Sequence, residues 1–62
     1  RPREYNAIVF RNCFYLWQIA RARDDDGAVR LNERTLRSYL ARIEESLPEL
    51  DEFRRITAGD QS

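Results

Sequence analysis

The sequence predicts an all-α fold, a small domain of three helices, and three observations carry that reading. Apolar residues recur at three- and four-residue spacing from Asn6 to Arg23 and again from Asn32 to Leu47, the pattern of helices with a packed face. Gly and Pro occur only twice each, at Pro2, Gly27, Pro48 and Gly59, all places where a helix would begin or end. The one short alternation, at Val29 and Leu31, has no partner strand and so makes no sheet. Sixty-two residues suffice for one domain, spanning 1–62, with 1–5 as its lead-in and 57–62 as a frayed tail.

The first helix enters at Pro2 and Glu4, since proline is tolerated in a first turn and an acid there suits the dipole. Arg21 and Arg23 close it with the complementary sign, which gives a helix of about 18 to 20 residues. Val9, Phe10, Cys13, Phe14, Leu16, Trp17 and Ala20 form one broad stripe at helical spacing. Ile8, Tyr15 and Ile19 form a second line on roughly the opposite side. A helix apolar on two sides must be covered from two sides.

Asp24, Asp25, Asp26 and Gly27 break the period and read as a solvated turn, and Ala28–Leu31 reads as an extended link. Asn32 is then the cap of the second helix, with Glu33 in its first turn and Glu33–Arg37 as a pair four apart. Leu36, Tyr39, Leu40, Ile43 and Leu47 share its single apolar face, while Arg34, Arg37, Ser38, Arg42, Glu44 and Glu45 lie off it. Ser46, Leu47, Pro48 and Glu49 spell a capping box that opens a third helix. Leu50, Phe53 and Ile56 form the apolar edge of that helix, Asp51 and Arg55 pair, and Gly59 stops it.

The inventory argues against an enzyme. Eleven basic residues balance eleven acids, every basic residue is Arg, and there is no His. A guanidinium stays charged, so roles as general base or Schiff-base former are closed. Cys13 is the single cysteine, which excludes an internal disulfide and any Cys/His metal site. With no His to generate a thiolate, it reads as small hydrophobic filler. No cofactor or metal is expected. A lone free thiol fits a reduced intracellular setting, cytoplasmic or nuclear/nucleoid. No run of about 18 apolar residues exists, so no membrane partner is expected. The chain opens at Arg1 without a methionine, as an excised or processed piece would, and shows no charged-then-apolar leader pattern.

A domain of this size buries only about 60% of the surface its unfolded chain exposes, so association is a usual aid to stability. Two narrow helical stripes cover one side of the first helix and leave the Ile8, Tyr15 and Ile19 line wet. The expected function is therefore a protein-protein interaction or oligomerisation module of a regulatory assembly. Ile8, Phe10, Phe14, Tyr15, Trp17 and Ile19 are the expected contact set, and the partner is a second copy or another protein. Residues 1–42 carry nine Arg against five acids, a net of +4, and residues 43–62 carry two Arg against six acids, a net of −4. That split favours an antiparallel dimer. The aromatics Phe10, Phe14, Tyr15 and Trp17 also have the composition of a base-stacking platform, but their helical spacing favours core or interface.

The string from Glu33 to Glu44 (ERTLRSYLARIE) resembles the recognition helix of helix-turn-helix and winged-helix DNA-binding proteins, and Leu16 to Ala22 resembles the tail of their support helix. The resemblance spans residues 16–44. It implies an alternative function in nucleic-acid binding, with Arg34, Arg37 and Ser38 facing the duplex and Thr35 or Arg30 meeting phosphate. Residues 23–32 separate the two helices here, where the family has a turn of three or four. Residues 24–33 also resemble a degenerate EF-hand, with Asp24, Asp26, Gly27, Val29 and Glu33 at its third, fifth, sixth, eighth and twelfth positions. Ala22 falls at the first position, where a carboxylate belongs, so tight calcium binding is not expected.

Overall fold

Three helices account for most of the described backbone: α1 (Pro2–Ala22), α2 (Asp26–Leu40) and α3 (Pro48–Asp60). The structure is a computed structural model that describes residues 2–44 and 46–60, and no strand occurs among them. The all-α expectation holds. Helix α1 takes up residues 2–5 of the expected lead-in, and α3 continues through Gly59 and most of the expected tail. Arg1, Glu45, Gln61 and Ser62 lie outside the described residues.

The core forms where α1 meets the other two helices. Phe10, Phe14, Trp17 and Ala20 are buried on α1, and Leu36 is buried on α2. Leu50 and Phe53 complete it from α3, and Ile43 and Leu47 from the link before it. Phe53 is the keystone of α3. It is fully buried and meets Phe10 edge-to-face at 6.0 Å and Trp17 at 4.9 Å between ring centroids. Edge-to-face packing of this kind adds to area burial, because the positive ring edge meets the negative face of its neighbour. Arg11 of α1 reaches Glu49 of α3 at 3.2 Å and ties the two helices at the rim.

The join between α1 and α2 is much shorter than the sequence suggests. Asp24 adopts the left-handed conformation, φ 55°, which Asp tolerates better than most residues. The Asp25 amide donates to the Ala20 carbonyl at 3.0 Å and the Asp24 amide to the Arg21 carbonyl at 3.2 Å. These two bonds are a Schellman closure, with Asp24 in the place usually held by Gly. Asp25 then caps α2 at once, its carboxylate accepting from the Ala28 amide at 3.2 Å. Residues 26–31, expected as turn and link, are therefore the first turns of α2. Asn32, expected as the cap, is interior, its side-chain amide donating to the Ala28 carbonyl at 2.9 Å. Packing supplies the reason: helical 26–31 turns Val29 onto the core.

Helix α2 also ends early, at Leu40, so Ile43 and Leu47 belong to a link rather than to one long apolar face. Both remain buried and pin that link to the core. Arg42 stacks over Tyr39 at 5.1 Å across the helix end. The expected capping box is not among the hydrogen bonds of the described residues, and α3 begins one residue after Leu47 rather than at a Ser46 cap. The Leu47 carbonyl accepts from the Leu50 and Asp51 amides, which makes Pro48 the first helical residue, where its missing N–H costs nothing. Glu49, expected to bond back toward Ser46, instead holds Arg11. Arg55 pairs with Glu52 rather than Asp51, while Glu33–Arg37 forms as expected at 3.5 Å.

Candidate functional site

Helix α1 is long enough to present two complete faces, and its neighbours occupy only one. Ala7, Phe10, Cys13, Phe14, Trp17 and Ala20 point inward. On the other side Tyr5, Ile8, Asn12, Tyr15 and Ile19 recur at steps of three, four, three and four, and all are exposed. Leu16 stands beside this line. The five large apolar members, Tyr5, Ile8, Tyr15, Leu16 and Ile19, are 50–62% exposed. Together they present roughly 500 Å² of apolar surface, near the upper end of what a typical monomer leaves open. Leu31 of α2 is a further exposed large hydrophobic.

The expected contact set therefore divides. Ile8, Tyr15 and Ile19 lie on the open face. Phe10, Phe14 and Trp17 do not, because they are the interior of this chain's own core and have no surface left to offer a partner. Tyr5, Leu16, Leu31 and the polar Asn12 fall outside the expected contact set. Tyr5 lies in the expected lead-in of residues 1–5, and Leu16 belongs by spacing to the broad stripe as well. Extending the Ile8, Tyr15, Ile19 line back by one turn would have found Tyr5 and shown Asn12 between them.

The residues proposed for nucleic acid lie along α2. Arg30 and Arg34 are exposed, with no ion pair among the described residues. Arg37 is engaged twice, by Glu33 and by the ring of Phe53, which its guanidinium approaches at 5.7 Å. The Thr35 hydroxyl donates to the Leu31 carbonyl at 3.3 Å and the Ser38 hydroxyl to the Thr35 carbonyl at 2.8 Å, so both already have local acceptors. The ten-residue separation expected between the two helices is corrected to residues 23–25, a turn as short as the helix-turn-helix family's. The start of α2 nevertheless carries Asp25 and Asp26, acids where a phosphate would have to approach. The EF-hand spacing is lost for a geometric reason: residues 26–33 are helical and do not wrap a cation.

Among the described residues no cluster of three or more His, Cys, Asp or Glu is placed to hold a metal ion, and no helix is long and apolar enough to cross a membrane. The Cys13 thiol is partly buried beside the core, and burial pushes its pKa up, away from thiolate chemistry. The Trp17 indole N–H is buried with no acceptor among the described residues, while Arg21 lies over the ring at 4.8 Å. An orphaned donor of this kind costs about 1–3 kcal/mol, tolerated here for the volume the indole fills. No protein-family model, curated protein or solved structure matches the chain.

Proposed function

We propose that this protein is a small helical interaction module that docks through the outer face of α1, as part of a regulatory assembly inside the cell and without catalytic activity of its own. One observation supports it above the rest. Five large apolar side chains line one side of a single helix, half or more exposed, while the opposite side of that helix is packed. A rigid helix supported from behind loses little entropy on docking, so its apolar area converts efficiently into affinity. The test replaces Tyr15 or Ile19 by Glu and follows apolar-dye binding by dilute protein together with helical circular dichroism. The expected result is unchanged helicity with dye binding lost. Dye binding equal to that of the parent overturns the reading.

A second reading, nucleic-acid binding through α2, draws on the three-residue turn and on exposed Arg30 and Arg34. It requires duplex affinity that falls steeply with salt and weakens in Arg30→Ala with Arg34→Ala. Absence of binding at low salt removes it.

A further inference from the structure

We infer that the open face of α1 is covered by a second copy of the same chain, the two helices lying antiparallel with the two Asn12 side chains facing each other at the two-fold axis. This rests on the docking role of that face and names its occupant. The argument begins with symmetry. A two-fold interface uses the same patch on both subunits, so the patch must match its own reversal. The face of α1 does so about Asn12: Tyr5 and Ile19 stand seven residues to either side, Ile8 and Leu16 four, and Val9 and Tyr15 three. Reversing the helix about that point sets Tyr5 on Ile19, Ile8 on Leu16 and Val9 on Tyr15, an apolar residue opposite an apolar residue at each of these three levels.

Spacing gives the second support. Positions 5, 8, 12, 15 and 19 are the alternating three-and-four steps of a helix-pairing seam over two heptads, and reversal about Asn12 returns Tyr5, Asn12 and Ile19 to seam positions while setting Ile8 and Tyr15 against the flanking Leu16 and Val9. An amide carries both donor and acceptor, so two Asn12 side chains facing each other satisfy one another. A lone polar residue in such a seam specifies register at some expense of stability. Asn12 thus has a role in the pair that it lacks in the isolated subunit.

Area and charge complete the case. About 500 Å² of apolar surface from each copy gives roughly 1,000 Å² before the rim is added, the lower bound for a specific interface. Antiparallel helices also oppose their dipoles, and the pairing brings Asp24, Asp25 and Asp26 of one copy beside the N-terminus of α1 in the other. A helix N-terminus is electropositive, so the acidic turn meets the sign it favours.

The closing experiment has three arms. Sedimentation equilibrium of the full chain should give twice 7.4 kDa, dissociating on dilution. Asn12→Asp sets two carboxylates face to face, so the dissociation constant should rise at least tenfold at neutral pH and return toward the parent's below about pH 4, whereas an exposed Asn away from any interface tolerates this change. In a Cys13→Ala background, a mixture of Tyr5→Cys and Ile19→Cys chains should form the mixed disulfide under mild oxidation, and neither alone should cross-link. Tyr5→Cys linking to itself overturns the antiparallel arrangement. A parent that stays at 7.4 kDa near millimolar concentration overturns self-pairing. If that monomer binds apolar dye and Tyr15→Glu abolishes the binding, the docking role survives for a different occupant. If it binds none, both proposals fall.

Discussion

Phe53 should carry most of the energy that holds α3 on α1, and its replacement tests the architecture directly. Truncating a buried phenylalanine to alanine costs about 3–5 kcal/mol through lost transfer energy and the cavity left behind. Phe53 belongs near the top of that range, because it also loses two edge-to-face contacts worth about 0.5–1.5 kcal/mol each. A chain of 62 residues has a total stability of only about 3–9 kcal/mol. Phe53→Ala should therefore unfold the domain or come close to it. Phe53→Leu keeps most of the volume but gives up the ring contacts, and should cost about 1–2 kcal/mol. With a urea slope of about 1 kcal/mol per molar for so small a domain, the midpoint should fall by roughly 1–2 M. Trp17 makes the assay simple, as it is the only tryptophan and touches Phe53, so its emission reports the loss of α3. Measurements belong in the Tyr15→Glu background, where association does not add a concentration-dependent term. A Phe53→Leu midpoint that matches the parent's would refute the packing of α3 on α1.

Other outcomes follow from the helix ends and the thiol. Asp24→Gly relieves the left-handed strain at φ 55° and should raise stability by about 0.5–1 kcal/mol, while Asp25→Ala removes the cap of α2 and should lower it by about 1 kcal/mol, both read from thermal melts. Gly59 lies inside α3 with open space around the position of a Cβ, so Gly59→Ala should stabilise by about 0.4–1 kcal/mol. Burial raises the pKa of Cys13, so its alkylation profile should sit at higher pH in the folded protein than in urea. Because the folded pKa is the higher one, this contribution to stability is complete below the unfolded value and is lost as pH rises through the folded value. An alkylation profile unchanged by unfolding would show that the thiol is solvated.

The number of helices and their class were legible because helical period is a local property. Spacing in Asn6–Arg23 and the turn residues at Pro2 and Pro48 needed no knowledge of neighbours. Element boundaries were less legible, since two residues competed for the cap of α2. Asn32 and Asp25 both have capping side chains, and Asp25 prevails because the extra helical turns bring Val29 onto the core. Likewise Ile43 and Leu47 fit the period of a longer α2 by spacing alone. They are buried from an irregular link, which redirects the chain so that Phe53 reaches Phe10 and Trp17.

For the candidate site the division is sharper. By itself the sequence determined that α1 is apolar on two sides, that its basic groups are all guanidinium, and that only one thiol is present. Which side of α1 faces inward was decided only in three dimensions. Phe10, Phe14 and Trp17 supply the bulk that Leu36 and Phe53 can close around. Once those side chains fill the space between the helices, α2 and α3 have no apolar stripe left to cover the other face. Tyr5, Ile8, Tyr15, Leu16 and Ile19 are exposed for that reason: packing is a competition for volume, and periodicity lists the competitors without ranking them.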